Sequence, residues 1–258
     1  ENVRQEPTTA YAVSGTTLTF TAAPVSASGN NIYVLHHNAP ASTANHPASQ
    51  DLTAVAGTFT SDVTIGSGSA ADRKILFDGN AQDYHIGLDD SADSLIIGKG
   101  SALGTTSHIV TDANGHVTMP LQPAFLAEFT TENSNISINT NVHLYFDVER
   151  FDINADYASN TFTAPVTGTY AFFSQTRFDY MDLDAAYYYY NLVASNRTVL
   201  LDIIDPDAFD SDPVYWTLQG STLVDMDAGD TAKIHVTQSG GSAQTDAVTG
   251  SFSGYLVA

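Results

Sequence analysis

The chain contains no cysteine, and only eight of its 258 residues are lysine or arginine. Without cysteine it can form neither a disulfide framework nor a thiolate metal site. The eight basic residues face 29 aspartates and glutamates, so the chain lacks the clustered positive charge that binds phosphate groups. Nucleic acid is therefore not an expected partner, and an anionic membrane surface is disfavoured for the same reason.

Long apolar runs and catalytic motifs are also missing. No stretch of about 20 apolar residues exists, so no insertion into a membrane is expected. The polar start Glu1–Glu6 is unlike a signal peptide, and a first residue other than Met suggests a processed product or a chain without its true start. The sequence has no HExxH, GxSxG or Walker pattern, and we expect a protein that is not an enzyme.

Hydrophobic residues make up 43% of the chain, which is enough for a packed core. Apolar residues alternate with Thr, Ser and Asn in short runs bounded by Gly, Asn and Asp, and this pattern predicts strands throughout. Asn114-Gly115 predicts a hairpin turn between His108–Thr111 and His116–Met119. The other predicted strands include Thr16–Thr21, Ile32–His37, Thr58–Ile65 and Thr231–Gln238.

Three regions differ in composition. Residues 1–48 are interpreted as a small N-terminal β module, and residues 49–122 as a shaft-like β segment. Because the strands of the middle region are too short to bury a core alone, we expect a three-chain bundle there. Residues 123–258 hold most of the aromatic residues and are predicted to form a self-sufficient β-sandwich.

The C-terminal region resembles the globular head of the C1q and tumour-necrosis-factor-like family. It has the aromatic and glycine signature of that head, the phrase Ala228–Val236 and the closing strand Ser251–Leu256. The signature residues are Phe146, Asp152, Tyr157, Phe162, Gly168, Tyr170 and Phe172, and they follow the entry strand Pro123–Ala127. The resemblance implies an all-β chain with a C-terminal jelly-roll sandwich and assembly into a homotrimer.

The first half resembles bacteriophage tail-fibre and virion structural proteins. The similar phrases are Ser14–Pro24, Gly57–Gly66 and Asp112–Thr118. Such fibres join small β modules to a distal binding head. The resemblance implies a location on the surface of an extracellular virus particle, with other virion proteins as partners.

The four consecutive tyrosines Tyr187, Tyr188, Tyr189 and Tyr190 are predicted to lie at the trimer interface. On a strand, two of the rings point to each face of the sheet. One pair can enter the sandwich core, and the other pair needs cover, which a neighbouring chain would supply.

Two acidic groups are candidate binding residues. The first comprises Asp179, Asp182 and Asp184, and the second comprises Asp205, Asp207, Asp210 and Asp212. Carboxylates are the ligands that calcium prefers, so Asp205, Asp207 and Asp210 are candidate Ca²⁺ ligands, which three chains could share near the trimer axis. The alternative is a solvated acidic loop, since neither stretch has the glycine and closing glutamate of an EF-hand.

These observations predict a trimeric fibre or spike protein whose C1q-like head binds a host surface glycan or an outer-membrane component. Three linked copies would raise a weak affinity for each single site. One alternative is a capsid-decorating or structural fibre protein without a receptor role. Another is a secreted cellular C1q-like protein that forms filaments.

Overall fold

The computed structural model describes residue 6, residues 8–23 and residues 55–258. The chain divides into two compact units, Glu1–Asp62 and Val63–Ala258. The predicted strand Ile32–His37 and the predicted boundary between residues 48 and 49 lie outside the described residues. In the described part of the chain, no helix combines the length and the apolar character needed to cross a bilayer.

The first unit contains a two-stranded antiparallel hairpin. Strands β1 (Tyr11–Ser14) and β2 (Thr17–Phe20) are joined by a tight turn at Gly15, which has a positive φ. Tyr11 pairs with Phe20 across the hairpin, and their ring centroids lie 6.4 Å apart. Strand β2 confirms the strand predicted at Thr16–Thr21.

The second unit begins with a five-stranded antiparallel meander in which each strand pairs with the next. Its strands are β3 (Arg73–Phe77), β4 (Tyr84–Asp89), β5 (Ser94–Lys99), β6 (Ser107–Thr111) and β7 (Val117–Thr118). We refer to it as the meander sheet.

The predicted hairpin at Asn114-Gly115 is confirmed between β6 and β7. Of the two turn residues, only Gly115 takes a positive φ, of 85°, and its N–H donates to the carbonyl of Asp112 over 3.0 Å. The side chain of Asp112 accepts from the N–H groups of Asn114 and His116. The carboxylate therefore fixes the turn, and Asn114 does not need the positive φ that the sequence also allowed.

The strand predicted at Thr58–Ile65 is wrong, because no regular strand forms between Val55 and Asp72. Its apolar residues alternate as a strand requires, yet Phe59, Val63 and Ile65 are all exposed. A strand needs a hydrogen-bonded neighbour, and none of the described strands pairs with this segment.

The strands after β7 form a β-sandwich of two antiparallel sheets, and the last of these strands is β18 (Asp246–Leu256). One sheet has the order β10-β8-β18-β13-β16. Its other strands are β8 (Ala124–Glu128), β10 (Val148–Ile153), β13 (Gly168–Asp179) and β16 (Tyr215–Met226).

The second sheet of the sandwich has six strands in the order β11-β12-β17-β14-β15, with β9 also paired to β17. Its strands are β9 (Asn141–His143), β11 (Tyr157–Ala158), β12 (Thr161–Thr163), β14 (Ala185–Ala194), β15 (Thr198–Ile204) and β17 (Thr231–Gly240). Strand β17 confirms the strand predicted at Thr231–Gln238. A single 3₁₀ turn, Pro206–Ala208, follows β15.

Aromatic residues fill the space between the two sheets. The ring of Phe125 stacks on that of Phe162 at 5.0 Å and meets that of Phe252 edge-on at 5.0 Å. Tyr170 and Phe172 complete the cluster, and all five residues are buried. Their alternation along the strands places them on the inner faces, so the all-β prediction with a C-terminal sandwich is confirmed.

Candidate subunit interface and binding loops

The four consecutive tyrosines divide between the two faces of β14. Tyr188 and Tyr190 are fully buried in the core of their own chain, whereas Tyr187 and Tyr189 lie half-buried on the outer face. The hydroxyl of Tyr190 lies 2.5 Å from Ser174 Oγ and 2.8 Å from Thr176 Oγ1, across the sandwich. Burial, which outweighs these hydrogen bonds, raises the pKa of the Tyr190 hydroxyl above its usual value.

The prediction of a trimer interface is therefore wrong for Tyr188 and Tyr190, because a side chain without exposed surface cannot touch a neighbouring chain. Tyr187 and Tyr189 stack on each other with centroids 4.2 Å apart, and each ring covers part of its neighbour. Their role as interface residues stays a prediction, although their mutual stacking lessens the need for cover.

A larger apolar surface lies on the outer face of the five-stranded sheet of the sandwich. Leu223 and Tyr255 flank Ala171 in one cross-strand row. Phe173 lies in the next row, which continues through Ser253 and Leu126 to Phe151. We call this surface the outer apolar patch, and its most exposed members are Leu223 (60%), Phe151 (49%), Tyr255 (46%) and Phe173 (44%).

The two predicted acidic groups are brought together at one end of the sandwich. The N–H of Leu183 donates to Asp212 Oδ1 over 2.9 Å. The N–H groups of Tyr180 and Met181 donate to the carbonyls of Val214 and Pro213. The loop after β13 and the loop before β16 therefore form one surface, which we call the acidic loop end.

Asp182 is a structural residue of this end rather than an exposed ligand contact, which corrects the prediction. Its carboxylate is buried and accepts three backbone N–H bonds, from Ser242 (2.5 Å), Ala243 (2.7 Å) and Asp184 (2.9 Å). Burial opposes ionisation of this group, but the three donors outweigh it and lower its pKa below the usual value. The charge thus ties the loop after β13 to the β17–β18 loop.

The other acidic candidates differ in how they are used. Asp179 forms a bidentate ion pair with Arg177, at 2.8 Å and 3.2 Å, and keeps only 14% of its side chain exposed. Asp205 caps the 3₁₀ turn by accepting from the N–H of Asp207. Asp184, Asp207 and Asp210 are exposed.

Calcium coordination by Asp205, Asp207 and Asp210 stays a prediction. Among the residues that the structure describes, no group of three or more histidine, aspartate or glutamate side chains converges as a metal site. A site made by one chain alone is therefore not visible, and a shared site would need carboxylates from several copies.

Exposed aromatic side chains lie at the acidic loop end, and the sequence reasoning did not single them out by residue. Tyr180 is 63% exposed and Tyr215 is 64% exposed. Trp216 packs edge-on against Phe209 at 5.0 Å, and the guanidinium of Arg177 lies 5.1 Å above the ring of Tyr215. The signal available was that Trp216 is the only tryptophan in the sequence and lies four residues after Asp212.

A pair of histidines lies on the outer face of the six-stranded sheet. His143 and His235 are cross-strand neighbours whose rings stack at 5.5 Å. Nε2 of His143 donates to the carbonyl of Asn160 over 2.9 Å, whereas Nε2 of His235 is buried and has no partner among the described residues. Burial first, then the neighbouring His143 and Lys233, lower the pKa of His235 to about 4.

The family model for the C1q domain matches residues 124–257, which is just over half of the chain. The chain belongs to the C1q family. The C1q domain begins with β8 and ends after β18, so it comprises both sheets of the sandwich. The resemblance seen in the aromatic signature is therefore confirmed, and the domain contains the outer apolar patch and the acidic loop end.

The solved structures that are similar to this C1q-family chain include a complement protein domain and murine APRIL. The globular domain of zebrafish complement 1qA protein has 20% sequence identity and a TM-score of 0.41, covering 53% of this chain and 98% of that chain. Murine APRIL, crystallised at pH 8.0, has 11% identity and a TM-score of 0.38, covering 52% and 99%. No curated protein sequence matches the chain.

Proposed function

We propose that this chain is a subunit of a homotrimeric fibre or spike on a virus particle, whose C1q domain binds a host surface ligand. The observation that carries the proposal is the outer apolar patch on a C1q-family sandwich. Phe173, Leu223 and Tyr255 expose large apolar side chains on one sheet face, although the sandwich core is already complete without them. Contiguous exposed apolar surface of this kind is typical of a protein–protein interface.

The expected partners in this interface are copies of the same chain. A chain with a net charge of −21 repels its copies over long distances, so a stable contact requires a surface where the charge is low. The outer apolar patch provides such a surface. Native mass spectrometry or light scattering of the purified chain should give three times the 27.4 kDa of one chain. A stable single-chain mass would contradict the trimer.

The acidic loop end supports binding of a glycan. Tyr180, Tyr215 and Trp216 present aromatic surface, and the neighbouring Asp184 and Asp207 carboxylates can accept hydrogen bonds from sugar hydroxyls. Exposed aromatic rings can stack on sugar rings, and a few polar groups nearby can fix the orientation of the sugar. Binding, rather than catalysis, is the activity that we propose for this end.

Binding to host cells or to a glycan array tests this function. The intact chain should bind, and Tyr180→Ala should weaken binding at least about tenfold if this ring supplies a stacking contact. Tyr145→Ala is a matched control, since Tyr145 is 56% exposed and lies between β9 and β10, outside the two loops that form the acidic loop end. If the two variants bind equally well, the acidic loop end is not the binding site.

Calcium remains a proposal for the trimer, supported by the density of carboxylates at the acidic loop end. If three copies share Asp205, Asp207 and Asp210, removal of calcium with EDTA should lower the melting temperature. An unchanged melting temperature across replicate scans would remove calcium from the proposal.

A further inference from the structure

The meander sheet has one face built of apolar residues in cross-strand register. Ile75 pairs with Ile86, Ile86 with Ile97, and Ile97 with Ile109, so a row of isoleucines crosses four strands. Rows of the same face flank this ladder on both sides. They contain the pairs Leu88–Leu95 and Phe77–Tyr84. We call this surface, defined by these eight residues, the isoleucine face.

The isoleucine face is not covered by any described part of the chain. Phe77 is 55% exposed and Leu95 is 51% exposed, and the three isoleucines from β3 to β5 are exposed as well. An antiparallel sheet that faces water on one side normally places polar residues on that side. Here the solvent side carries the large apolar side chains, so its exposure in a single chain is costly.

The opposite face of the meander sheet is covered by the chain itself. Gly87 and Gly98 lie on that face, and a Cβ added at Gly87 would stand 2.7 Å from Cδ1 of Leu103. His85 is fully buried there, and its Nδ1 donates to the carbonyl of Gly100 over 2.8 Å. The segment after β5 therefore packs directly on this glycine-lined side, where His85 and Ile96 are buried, whereas Ile75, Ile86 and Ile97 of the isoleucine face are exposed.

Charge limits what can cover the isoleucine face. Its central row of isoleucines carries no charge. The charged strand residues on the same face are Arg73, which pairs with Leu88, and Lys99, which pairs with Tyr84, and both belong to the eight basic residues. No carboxylate of these strands pairs within the three rows, in a chain that has 29 acidic residues. An identical face can therefore approach it without bringing carboxylates together, and β-branched side chains in register offer a regular surface for packing.

We propose that the isoleucine faces of three copies pack against one another around a common axis and form a closed shaft beside the head. This inference rests on the proposed trimer of the C1q domain, because that trimer brings the meander sheets together. Only residues 119–123 separate β7 from β8. At about 3.3–3.6 Å per residue, this linker spans less than about 20 Å, so three joined heads hold their meander sheets at a high effective concentration.

Two single-cysteine variants test the packing in the otherwise cysteine-free chain. Ile86→Cys lies on the isoleucine face, and Leu76→Cys lies on the opposite side. The two parent residues are 38% and 39% exposed in one chain, so an uncovered sheet would leave both thiols equally accessible. In the purified full-length protein, we expect maleimide to modify Ile86→Cys at least about tenfold more slowly than Leu76→Cys, and at the same rate in denaturant.

Mass measurements on the same samples separate the possible failures. A three-chain mass with equal labelling rates overturns the shaft and leaves the proposed head trimer intact. A single-chain mass overturns the head trimer and the shaft together, and slow labelling of Ile86→Cys in such a single chain would mean that the cover comes from the chain itself. Adding Phe173→Asp, which should separate the heads, is expected to raise the labelling rate of Ile86→Cys to that of Leu76→Cys. Ile97→Cys, 37% exposed on the same face, serves as a second reporter if Ile86→Cys does not fold.

Discussion

The rings of Phe173 and Tyr255 stack on the outer face of the five-stranded sheet, with centroids 6.1 Å apart and planes inclined by 18°. They come from the neighbouring strands β13 and β18, and neither ring enters the core. Two stacked aromatic rings beside Leu223 form a compact apolar surface near the middle of the sheet. This pair, rather than the tyrosine run on β14, is the feature of the C1q domain that we propose a neighbouring chain covers.

Replacement of Phe173 by Asp should convert the proposed three-chain assembly into single chains. A carboxylate in the centre of an apolar contact loses its hydration without gaining a partner, which costs several kcal/mol in a closed interface. Light scattering measures the result. The control is Leu200→Asp, which replaces a residue of similar exposure (49%) on the other sheet and should keep the trimer mass. A trimer that survives Phe173→Asp would rule out the outer apolar patch as the interface.

Tyr190→Phe should destabilise the C1q domain by about 1–2 kcal/mol, because it leaves the buried hydroxyls of Ser174 and Thr176 without their shared partner. Tyr189→Phe, on the half-buried side of the same strand, should change the stability by less than about 0.5 kcal/mol. Urea unfolding at one fixed protein concentration compares the two variants. Equal losses would contradict the division of the tyrosines between core and surface.

Asp182→Asn should lower the free energy of unfolding by about 1–3 kcal/mol at neutral pH. In the parent chain, backbone N–H groups donate to the Asp182 carboxylate, and the side-chain amide of asparagine would place its own N–H groups against these donors. The pKa of Asp182 is lowered in the folded state, so its contribution is present above the ordinary value of 3.8 and is lost as the pH falls below it. Chemical denaturation should therefore show a smaller difference in the free energy of unfolding between Asp182→Asn and the parent chain at pH 3 than at pH 7. Asp210→Asn, at an exposed position, should have little effect at either pH.

His235 should make the domain less stable as the pH falls from about 6.5 towards 4. Its pKa is lowered to about 4 in the folded state, so between these values the unfolded chain binds a proton that the folded chain does not, and protons favour unfolding. His235→Gln should flatten the dependence of the melting temperature on pH in this window. An identical slope in His235→Gln would contradict the assignment.

Local chemistry made parts of this structure predictable from the sequence. The turn after β6 follows from Asp112, which binds two N–H groups within four residues, and from Gly115, which tolerates a positive φ. The aromatic residues Tyr170 and Phe172 lie two apart, and this spacing places both rings on one face of a strand. Both features depend on residues close in sequence and not on which distant strand packs beside them.

The sequence could not predict features that depend on distant partners. Thr58–Ile65 has the alternation of a strand, but hydrogen bonding to a neighbour decides whether a strand forms, and no described strand lies beside it. Asp182 looked like the other acidic loop residues until the β17–β18 loop supplied the N–H groups of Ser242 and Ala243, about 60 positions away.

The sequence by itself determined that β14 carries two tyrosines on each face and that His85 and Ile86 point to opposite faces of the meander sheet, because side chains of an extended chain point to opposite sides in turn. Only the tertiary structure decided which side is the inside. In β14 the five-stranded sheet covers Tyr188 and Tyr190, whereas in the meander sheet the segment after β5 covers the side of His85 and leaves Ile86 exposed. Alternation is a local property of the backbone, but burial depends on which part of the chain packs against each face.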